Sequence, residues 1–378
     1  MHSELKDCSS DWLGVSPEHF PEPPTCTFVQ VMHIVFLIHI IAELVIGILS
    51  VVLTLVLLRV VWQNRTPRLR VYSWILILNG VADLVFALCN LTLMEGVEIL
   101  DNSLFLFSTS FFYHSSQTVT TIATAVWLTS LYMAFAVLPI NYYYRYRQLS
   151  TRPLTIFQYV CLYCLALLYV GAHCFSVFWF TVPKNAQLDK IITSVEYYAD
   201  PPAYIVSDSS LPGCVYHLLH STIQVAGSYL IVAYFAMKIR SAILEQRNRM
   251  STGAKRTDNQ IMTVMFVQCM CPGVVLTIPI GICASAPLFG QSVPLLGLIL
   301  TTVMGLIPIC NSLSALLIVG TYRQAVKRMI GMEAPSSVMG TTSKGPASKC
   351  DPTVSPVTDA KSTLARLEKK TMTRTYKI

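Results

Sequence analysis

The sequence predicts an all-α membrane protein, a bundle of seven transmembrane helices followed by a short amphipathic eighth helix. Three observations lead to this prediction. Apolar residues make up 53% of the 378 residues, charged residues only 12%, and the mean hydropathy is +0.55, as is typical of membrane proteins. Several long stretches carry no charged residue. The lysines and arginines, finally, are concentrated in every second connecting segment, as they are when those segments stay in the cytoplasm.

Seven segments are long and apolar enough to cross a membrane, because a helix needs about 20 such residues to span a hydrocarbon layer about 30 Å thick. The last two segments come from one uncharged run, residues 259–322, in which Pro287, Gly290 and Pro294 indicate a turn. The third starts with many Ser and Thr residues, so we expect its start to face other helices or a water-filled cavity. The predicted spans are residues 29–58, 71–94, 107–138, 156–182, 214–237, 261–286 and 294–319.

The positions of the basic residues predict the orientation of the chain. Of 27 lysines and arginines, 24 lie in the first, third and fifth connections and after the seventh span, and three lie in the other segments. Basic segments stay in the cytoplasm, so we expect the N-terminus outside and the C-terminus inside. Residues 1–28 then form an extracellular tail, because they lack the basic start and short apolar core of a cleaved signal. Residues 29–320 form the seven-helix domain.

The segment after the seventh span predicts a helix on the membrane surface. Over residues 321–332, Tyr322, Ala325 and Val326 recur at helical spacing between basic residues, so we expect the apolar face in the inner leaflet. The net charge of +7 comes from the basic cytoplasmic segments. We interpret it as a surface that contacts anionic lipid and a protein partner, not nucleic acid. Residues 333–378, rich in Ser, Thr, Pro and Lys, predict a disordered cytoplasmic tail that is either a phosphorylation target or functionally neutral.

Two carboxylates lie within predicted spans, where ionisable groups are costly and usually functional. Asp83 in the second span and Asn311 in the seventh are expected to form a polar cluster. Three interpretations stay open: a sodium site at Asp83, a switch that repacks on activation, or a protonated Asp83 that serves packing alone. Glu43 has His39 one turn earlier on the same helix face, and we favour a neutralising hydrogen bond over a ligand contact.

Three prolines in the interiors of the predicted spans remove backbone donors and are expected to bend their helices. They are Pro272, Pro279 and Pro308. Because a bend can act as a hinge, Pro279 is the predicted pivot about which the cytoplasmic end of the sixth span swings outward. A fixed bend is the alternative.

The outer halves of the third, fifth, sixth and seventh spans offer polar and aromatic side chains that predict a cavity. A mostly apolar lining with a few directed hydrogen bonds suits a small amphiphilic molecule. Each side chain is also a candidate for a contact between helices. The candidate ligand-binding residues are Tyr113, His114, Gln117, Thr121, His217, His220, Gln224, Thr277 and Gln291.

The sequence shows no motif for catalysis or for a cofactor. No cluster of histidines and cysteines has the spacing of a complete zinc site, and no glycine-rich phosphate loop occurs. We therefore predict neither an enzyme nor a cofactor, and the only metal considered is sodium at Asp83. The predicted extracellular cysteines are Cys8, Cys26 and Cys214, so one bridge would leave one thiol unpaired. Cys26 and Cys214 are the candidate pair, although the sequence alone does not choose between pairings.

Short motifs along the chain carry a resemblance to a known family. They are residues 66–73 leading into Asn79 and Asp83, residues 144–146, Gln268 followed by Pro272, and residues 322–326. In these motifs and in layout, the chain resembles the seven-helix receptors that couple to G proteins. More narrowly, it resembles the nematode chemoreceptors of the str superfamily of serpentine receptors, and class d (Srd) is the most similar.

The resemblance implies a chemosensory, olfactory-type receptor. Such a receptor binds a small odorant or pheromone in its outer cavity and activates a heterotrimeric G protein. It also implies a multi-pass protein of the plasma membrane, in the ciliary membrane of a sensory neuron.

The resemblance further implies which residues meet the G protein. In rhodopsin-like receptors an arginine at the end of the third helix does so, and the similar residue here is Arg145, although the acid that precedes the family's arginine is absent. An alternative alignment through Pro139 places Tyr132 at that position. The basic connection after the fifth span would complete the coupling surface. The implied coupling residues are Tyr144, Arg145, Tyr146, Arg247, Arg249, Lys255 and Arg256.

Other functions of seven-helix proteins fit the sequence less well. A retinal protein needs a lysine in its seventh span, and no predicted span contains one. A carrier should show two similar three-helix repeats, which we do not find. An insect-type odorant channel would have the opposite orientation. A seven-helix small-molecule carrier and an orphan receptor-like protein without G-protein coupling remain the alternatives.

Overall fold

The structure, a computed structural model, is a helical membrane protein. Its described residues include seven helices that are long and apolar enough to cross a membrane, as predicted. Residues 333–378, the predicted tail, lie outside the described part. The structure describes residues 26–65, 70–101, 103–150, 153–179, 181–182, 184–195, 198, 201–208, 211–246, 252–289 and 291–332.

Ten α-helices occur in this part of the chain. Two of them together form the seventh span, and two short helices lie outside the spans. In chain order they are α1 (Cys26–Gln63), α2 (Arg70–Leu93), α3 (Gln117–Leu149), α4 (Ile156–Phe175), α5 (Ala186–Thr193), α6 (Pro212–Gln246), α7 (Thr252–Leu288), α8 (Leu296–Met304), α9 (Ile307–Ile318) and α10 (Gly320–Met329).

Helix α3 and the seventh span are the two most buried spans of the bundle. In the most apolar stretch of each, 61% of the residues are buried, against 22% in the fourth span. The buried side chains of α3 include Trp127 and Phe135, which pack with Phe86 of α2 and Val170 of α4. Helix α4 instead exposes apolar side chains such as Leu168, as a helix does when lipid surrounds it.

A four-stranded antiparallel sheet covers one end of the bundle, which we name the sheet end. Its strands come from the connection between α2 and α3 and from the connection between α4 and α6, and they are arranged in the order β1-β2-β4-β3. Phe105, Phe107 and Tyr204 are buried between the sheet and the short helix α5. The strands are β1 (Glu95–Leu100), β2 (Ser103–Ser108), β3 (Thr181–Val182) and β4 (Tyr204–Asp208).

Two buried carboxylates join the sheet to the helices. Glu95 in β1 accepts a hydrogen bond from the Thr124 hydroxyl of α3. Burial raises the pKa of the Glu95 carboxyl to about 8, and the hydrogen bond from Thr124 opposes this rise. Glu98, also in β1, accepts hydrogen bonds from the Tyr198 hydroxyl at 3.2 Å and from the Leu295 backbone N–H at 3.0 Å.

The third span differs from the prediction at both ends. It was predicted at residues 107–138, but residues 107 and 108 belong to β2, and α3 starts at Gln117 behind Ser116, whose side chain accepts a hydrogen bond from the Val119 N–H. Residues 103–108 pair with strands on both sides, so their apolar character reflects a buried strand. At the other end, α3 continues through Pro139 to Leu149.

The seventh span is interrupted in the turn before Pro308, where a bend was predicted. The interruption lies at Gly305 and Leu306, between α8 and α9, and Pro308 lies in the first turn of α9. The missing N–H of proline costs nothing there, because the first N–H groups of a helix have no partner within it. Pro272 and Pro279 lie inside α7, as predicted.

The predicted amphipathic helix is confirmed as α10. Its Tyr322 and Ala325 pack into the protein core and are buried, while Met329 and Ile330 are exposed. Half of the apolar face that was predicted to enter the membrane therefore contacts the helix bundle instead.

Candidate functional site

A largely buried ion pair joins the third and sixth spans at the end of the bundle opposite to the sheet. Arg145 Nη2, near the end of α3, lies 2.5 Å from Asp258 Oδ1, near the start of α7. The two side chains are 8% and 15% exposed. Water screens such a pair little, and separating it would leave the buried Arg145 charge without its partner. We name this end of the bundle the Arg145 end.

Aromatic residues directly precede and follow Arg145 in α3. Tyr144 is buried and stacks on Tyr159 of α4, with ring centroids 4.3 Å apart. Tyr146 is half-buried, and its ring centroid lies 5.7 Å from that of Phe235 in α6. Of the predicted coupling triplet, Tyr144 is therefore a core residue in this structure.

The other predicted coupling residues lie at the start of α7 or outside the described residues. Lys255 is half-buried and Arg256 is exposed, both within the turn that precedes Asp258. Arg247 and Arg249 fall outside the described residues. The first turns of α7 thus carry positive charge beside the ion pair.

Asp83 and Asn311 meet in the middle of the bundle. Asn311 Nδ2 donates to the two carboxylate oxygens of Asp83, at 3.0 and 3.2 Å. Gln268 of α7 donates from Nε2 to the Asn311 backbone carbonyl at 3.1 Å. Helices α2, α7 and α9 therefore share one polar cluster, and its role stays a prediction.

A cavity of about 20 Å³ adjoins Asp83, enough for one water molecule or one small cation. Asn79, Ser130 and Gln268 line it together with Asp83 and Asn311. Asn311 Oδ1 is buried and has no hydrogen-bond partner within the described residues. Carboxylate, amide and hydroxyl oxygens are the ligands of hard cations, so the donor set fits a sodium ion. No group of three or more His, Cys, Asp or Glu that could hold a metal occurs in the described ranges.

A chain of contacts leads from this cavity to Tyr144 in α3. Asn141 Nδ2 donates to Asn79 Oδ1 at 3.0 Å, and the Tyr159 hydroxyl donates to Asn141 Oδ1 at 2.6 Å. Tyr159 in turn stacks on Tyr144, the neighbour of Arg145. These contacts extend from the cavity to the residue that precedes Arg145 in α3.

The sheet end contains a cavity of about 260 Å³, which we name the sheet-end pocket. Its size is close to the lower limit of about 300 Å³ for small-molecule sites. The Ala203 N–H donates to the Tyr113 carbonyl at 2.6 Å and so holds the two walls together. One wall is the start of α3, with His114, Ser115 and Gln117, and the other is the connection after α4, with Lys184, Pro201, Ala203 and Tyr204.

Two further predicted residues, His217 and His220 of α6, lie in a separate cluster with His173 of α4. The rings of His173 and His217 stack with centroids 4.1 Å apart, and the Nδ1 atoms of His173 and His220 are 2.9 Å apart. His220 Nε2 lies 2.9 Å from the Tyr169 hydroxyl. These histidines join α4 to α6 and do not line the sheet-end pocket.

The structure does not bring the nine predicted ligand residues into one cavity. Thr121 donates from its hydroxyl to the Gln117 carbonyl within α3. Both polar side-chain atoms of Gln224 are buried without a hydrogen-bond partner in the described part of the chain. Thr277 and Gln291 are exposed. Only His114 and Gln117 line the sheet-end pocket, with Tyr113 in its wall.

Two expected pairings at the sheet end are not formed. Cys214 is a buried free thiol that accepts a hydrogen bond from the Ser207 hydroxyl, so no bridge joins it to Cys26. His39 Nδ1 lies 2.8 Å from the Thr302 hydroxyl of α8, which takes the place expected for Glu43. Glu43 itself is buried, and its Oε1 has no hydrogen-bond partner among the described residues.

Sequence reasoning missed three residues at these sites: Asp258, His173 and Lys184. A signal existed for two of them. Asp258 is the only acid in α7, and His173 is the only His, Asp, Glu, Lys or Arg in the fourth span. Nothing in the sequence separates Lys184 from other loop lysines, because its place in the pocket depends on how the connection after α4 folds.

Most of the chain matches one known family. Residues 39–328 fit the model of the family described as "Serpentine type 7TM GPCR chemoreceptor Srd". The chain belongs to the Srd family. No curated protein matches this Srd chain.

The fold of the Srd chain is similar to that of squid rhodopsin. A crystal structure of squid rhodopsin superposes with a TM-score of 0.55, covering 84% of this chain and 90% of the rhodopsin chain. The sequence identity is 11%, so this similarity concerns the fold alone. The family and the seven helices together make the Srd chain a multi-pass seven-transmembrane receptor.

Proposed function

We propose that this Srd-family protein is a chemosensory receptor that binds a small odorant or pheromone at the sheet end and activates a heterotrimeric G protein at the Arg145 end. The proposal places it in the plasma membrane, in the cilium of a sensory neuron. The Arg145 end lies in the cytoplasm, because it belongs to the side with 24 of the 27 lysines and arginines. The activity is signalling, without catalysis.

The Arg145–Asp258 pair is the observation that carries this proposal. It holds α3 and α7 together where a G protein would have to enter, so the structure corresponds to a closed state. Arg145 Nε is buried and has no hydrogen-bond partner within the described residues. A G protein that inserts between the helices supplies acceptors for the arginine and thereby favours the open state.

The ligand acts on this pair from the other end of α3. Gln117 lines the sheet-end pocket, and Arg145 lies 28 residues further along the same helix, or roughly 42 Å at 1.5 Å per residue. A ligand that binds the open state better shifts the population toward it. In this proposal Asp83 and Asn311 repack during the shift, and α7 turns about Pro279.

The basic surface of α10 supports a lipid contact at the same end. Arg323, Lys327 and Arg328 are exposed, beside the exposed apolar residues Met329 and Ile330. Such a surface suits the anionic headgroups of the cytoplasmic leaflet. We therefore include anionic lipid among the partners of the receptor.

The test is a signalling assay in cells that express the full chain, a G protein and a fluorescent second-messenger reporter, screened with volatile and water-soluble compounds. A compound that activates the wild type is expected to be inactive on Arg145→Ala, since the coupling arginine is lost. Arg59→Ala removes an exposed arginine of α1 and serves as the matched control.

Equal responses of the wild type and Arg145→Ala would contradict G-protein coupling through Arg145. Uptake of the compounds into vesicles that contain the protein, without a reporter signal, would favour the carrier.

A further inference from the structure

We propose that the sheet-end pocket binds a small carboxylate and that Lys184 holds its negative charge. The inference rests on the proposed function, because this acid would be the ligand that activates the receptor. It goes further by assigning a chemical class to the ligand and an anchoring role to a residue of the connection after α4.

The charge of the pocket lining favours an anion. Lys184 carries a full positive charge, and no aspartate or glutamate is among the described residues that line the cavity. The other polar groups in the lining, on His114, Ser115 and Gln117, include hydrogen-bond donors. A carboxylate that enters this pocket would therefore meet one cation and several donors.

Lys184 is positioned toward the pocket by its neighbours. Its ammonium lies 3.4 Å from Asp189 Oδ1 and 5.2 Å from the centre of the Tyr204 ring. The Tyr204 hydroxyl donates to the same oxygen of Asp189 at 2.7 Å, so that oxygen is already shared between two donors. Tyr204 also lines the pocket, which means that the lysine is held against the cavity wall.

The Lys184–Asp189 pair leaves the lysine available to a ligand. The two side chains are 38% and 33% exposed, and an ion pair in contact with water contributes little to stability. An ammonium group also offers three donors, and Asp189 needs only one of them. A ligand carboxylate can therefore form an ion pair with the lysine without displacing Asp189.

The volume of the pocket limits the size of the acid. At about 260 Å³, the pocket holds roughly eight or nine ligand atoms if each takes the ~30 Å³ of a water molecule. Hexanoate and benzoate have this size. Their uncharged amides, hexanamide and benzamide, have the same shape and are the matched probes.

The experiment measures equilibrium binding of these four compounds to purified full-length protein in lipid nanodiscs, by saturation-transfer NMR without a G protein. We expect hexanoate or benzoate to bind at least about tenfold more tightly than its amide, which corresponds to about 1.4 kcal/mol. Lys184→Met is expected to remove this preference and Lys184→Arg to retain it. Lys190→Met, which neutralises an exposed lysine of α5 outside the pocket lining, is expected to bind like the wild type.

A second variant separates a ligand role from a purely structural role of Lys184. Asp189→Asn removes the negative charge beside the pocket, so we expect it to bind the carboxylate several-fold more tightly. A lysine that only stabilises the connection would give no gain in this variant.

Equal affinity for acid and amide, binding unaffected by Lys184→Met, or no binding of either acid would overturn the carboxylate proposal. None of these results would contradict the receptor proposal, which is tested separately by G-protein signalling. Conversely, selective carboxylate binding without any signalling would support the pocket assignment and contradict the proposed function.

Discussion

Arg145 and Asp258 form a largely buried ion pair that joins the end of α3 to the start of α7, with 2.5 Å between Nη2 and Oδ1. Rhodopsin-like receptors have an acid directly before the arginine, and this chain has Tyr144 there. The acid that pairs with the arginine in this chain comes from another helix. The pair therefore responds to the relative position of the two helices, which suits it to control whether this end of the bundle opens.

The Asp83–Asn311 contact predicts a loss of stability when the amide is removed. Asn311→Ala deprives the buried carboxylate of the donor that serves its two oxygens. We expect the free energy of unfolding to fall by about 1–3 kcal/mol, the usual cost of an unsatisfied buried group. Thermal unfolding of the purified protein measures this. Ser241→Ala, at an exposed position of α6, is the control, and equal melting of the two variants would contradict the prediction.

The small cavity beside Asp83 predicts stabilisation by sodium. Its carboxylate, amide and hydroxyl oxygens suit a hard cation, and a ligand that binds only the folded state raises the melting temperature. We expect sodium chloride to raise the melting temperature above that in choline chloride at equal ionic strength. Asp83→Asn should abolish the difference. If the wild type melts alike in both salts, the cavity holds water and the Asp83 cluster is left with a packing or switching role.

Glu95 predicts a pH dependence of stability. Burial raises the pKa of its carboxyl from the usual 4.5 to about 8 in the folded protein. Between these two pKa values the folded state binds more protons at Glu95 than the unfolded state does. The contribution of Glu95 to the free energy of unfolding is therefore full below pH 4.5 and is lost as the pH rises through 8. The loss is at most about 1.4 kcal/mol per pH unit. Melting temperatures from pH 5 to 9 should fall less steeply for Glu95→Gln. Asp101→Asn, at an exposed position after β1, should retain the wild-type slope.

Gly297 at the start of α8 predicts a steric requirement at the sheet end. A methyl group there would lie 2.1 Å from the backbone oxygen of Val97 in β1, too close for any rotation to relieve. Gly297→Ala should therefore destabilise the protein by about 1–3 kcal/mol or more. Gly281→Ala in α7 meets no atom within 4 Å and should be neutral or stabilising. Comparable surface expression and melting of the two variants would show that the sheet does not pack tightly on α8.

The sequence was sufficient for the number of spans and for the Asp83–Asn311 contact, because both depend on hydropathy and on the cost of an acid in a membrane. It was insufficient for the sheet. Residues 103–108 have the apolar composition of a span. They form a strand because they pair antiparallel with β1, which precedes them, and with β4, which lies far along the chain. The start of the third span was misplaced for this reason.

Which residues come together in the candidate site also depends on tertiary structure. Periodicity places His217 and His220 on α6, but the packing of α4 decides that His173 contacts them and that they stay apart from His114. Asp258 stands among basic residues and has no local feature that points to Arg145. Contacts between side chains of helices that are distant in sequence can be identified only once the packing of the bundle is known.

The most direct test of the central claim measures nucleotide exchange on a purified heterotrimeric G protein by the reconstituted receptor without ligand. Asp258→Asn should raise the basal exchange rate several-fold above that of the wild type, because α7 is released from Arg145. Glu245→Gln, a matched change at an exposed acid of α6, should leave the rate unchanged. A basal rate for Asp258→Asn equal to that of the wild type, in folded protein with the wild-type melting profile, would contradict the account that this ion pair keeps the receptor closed.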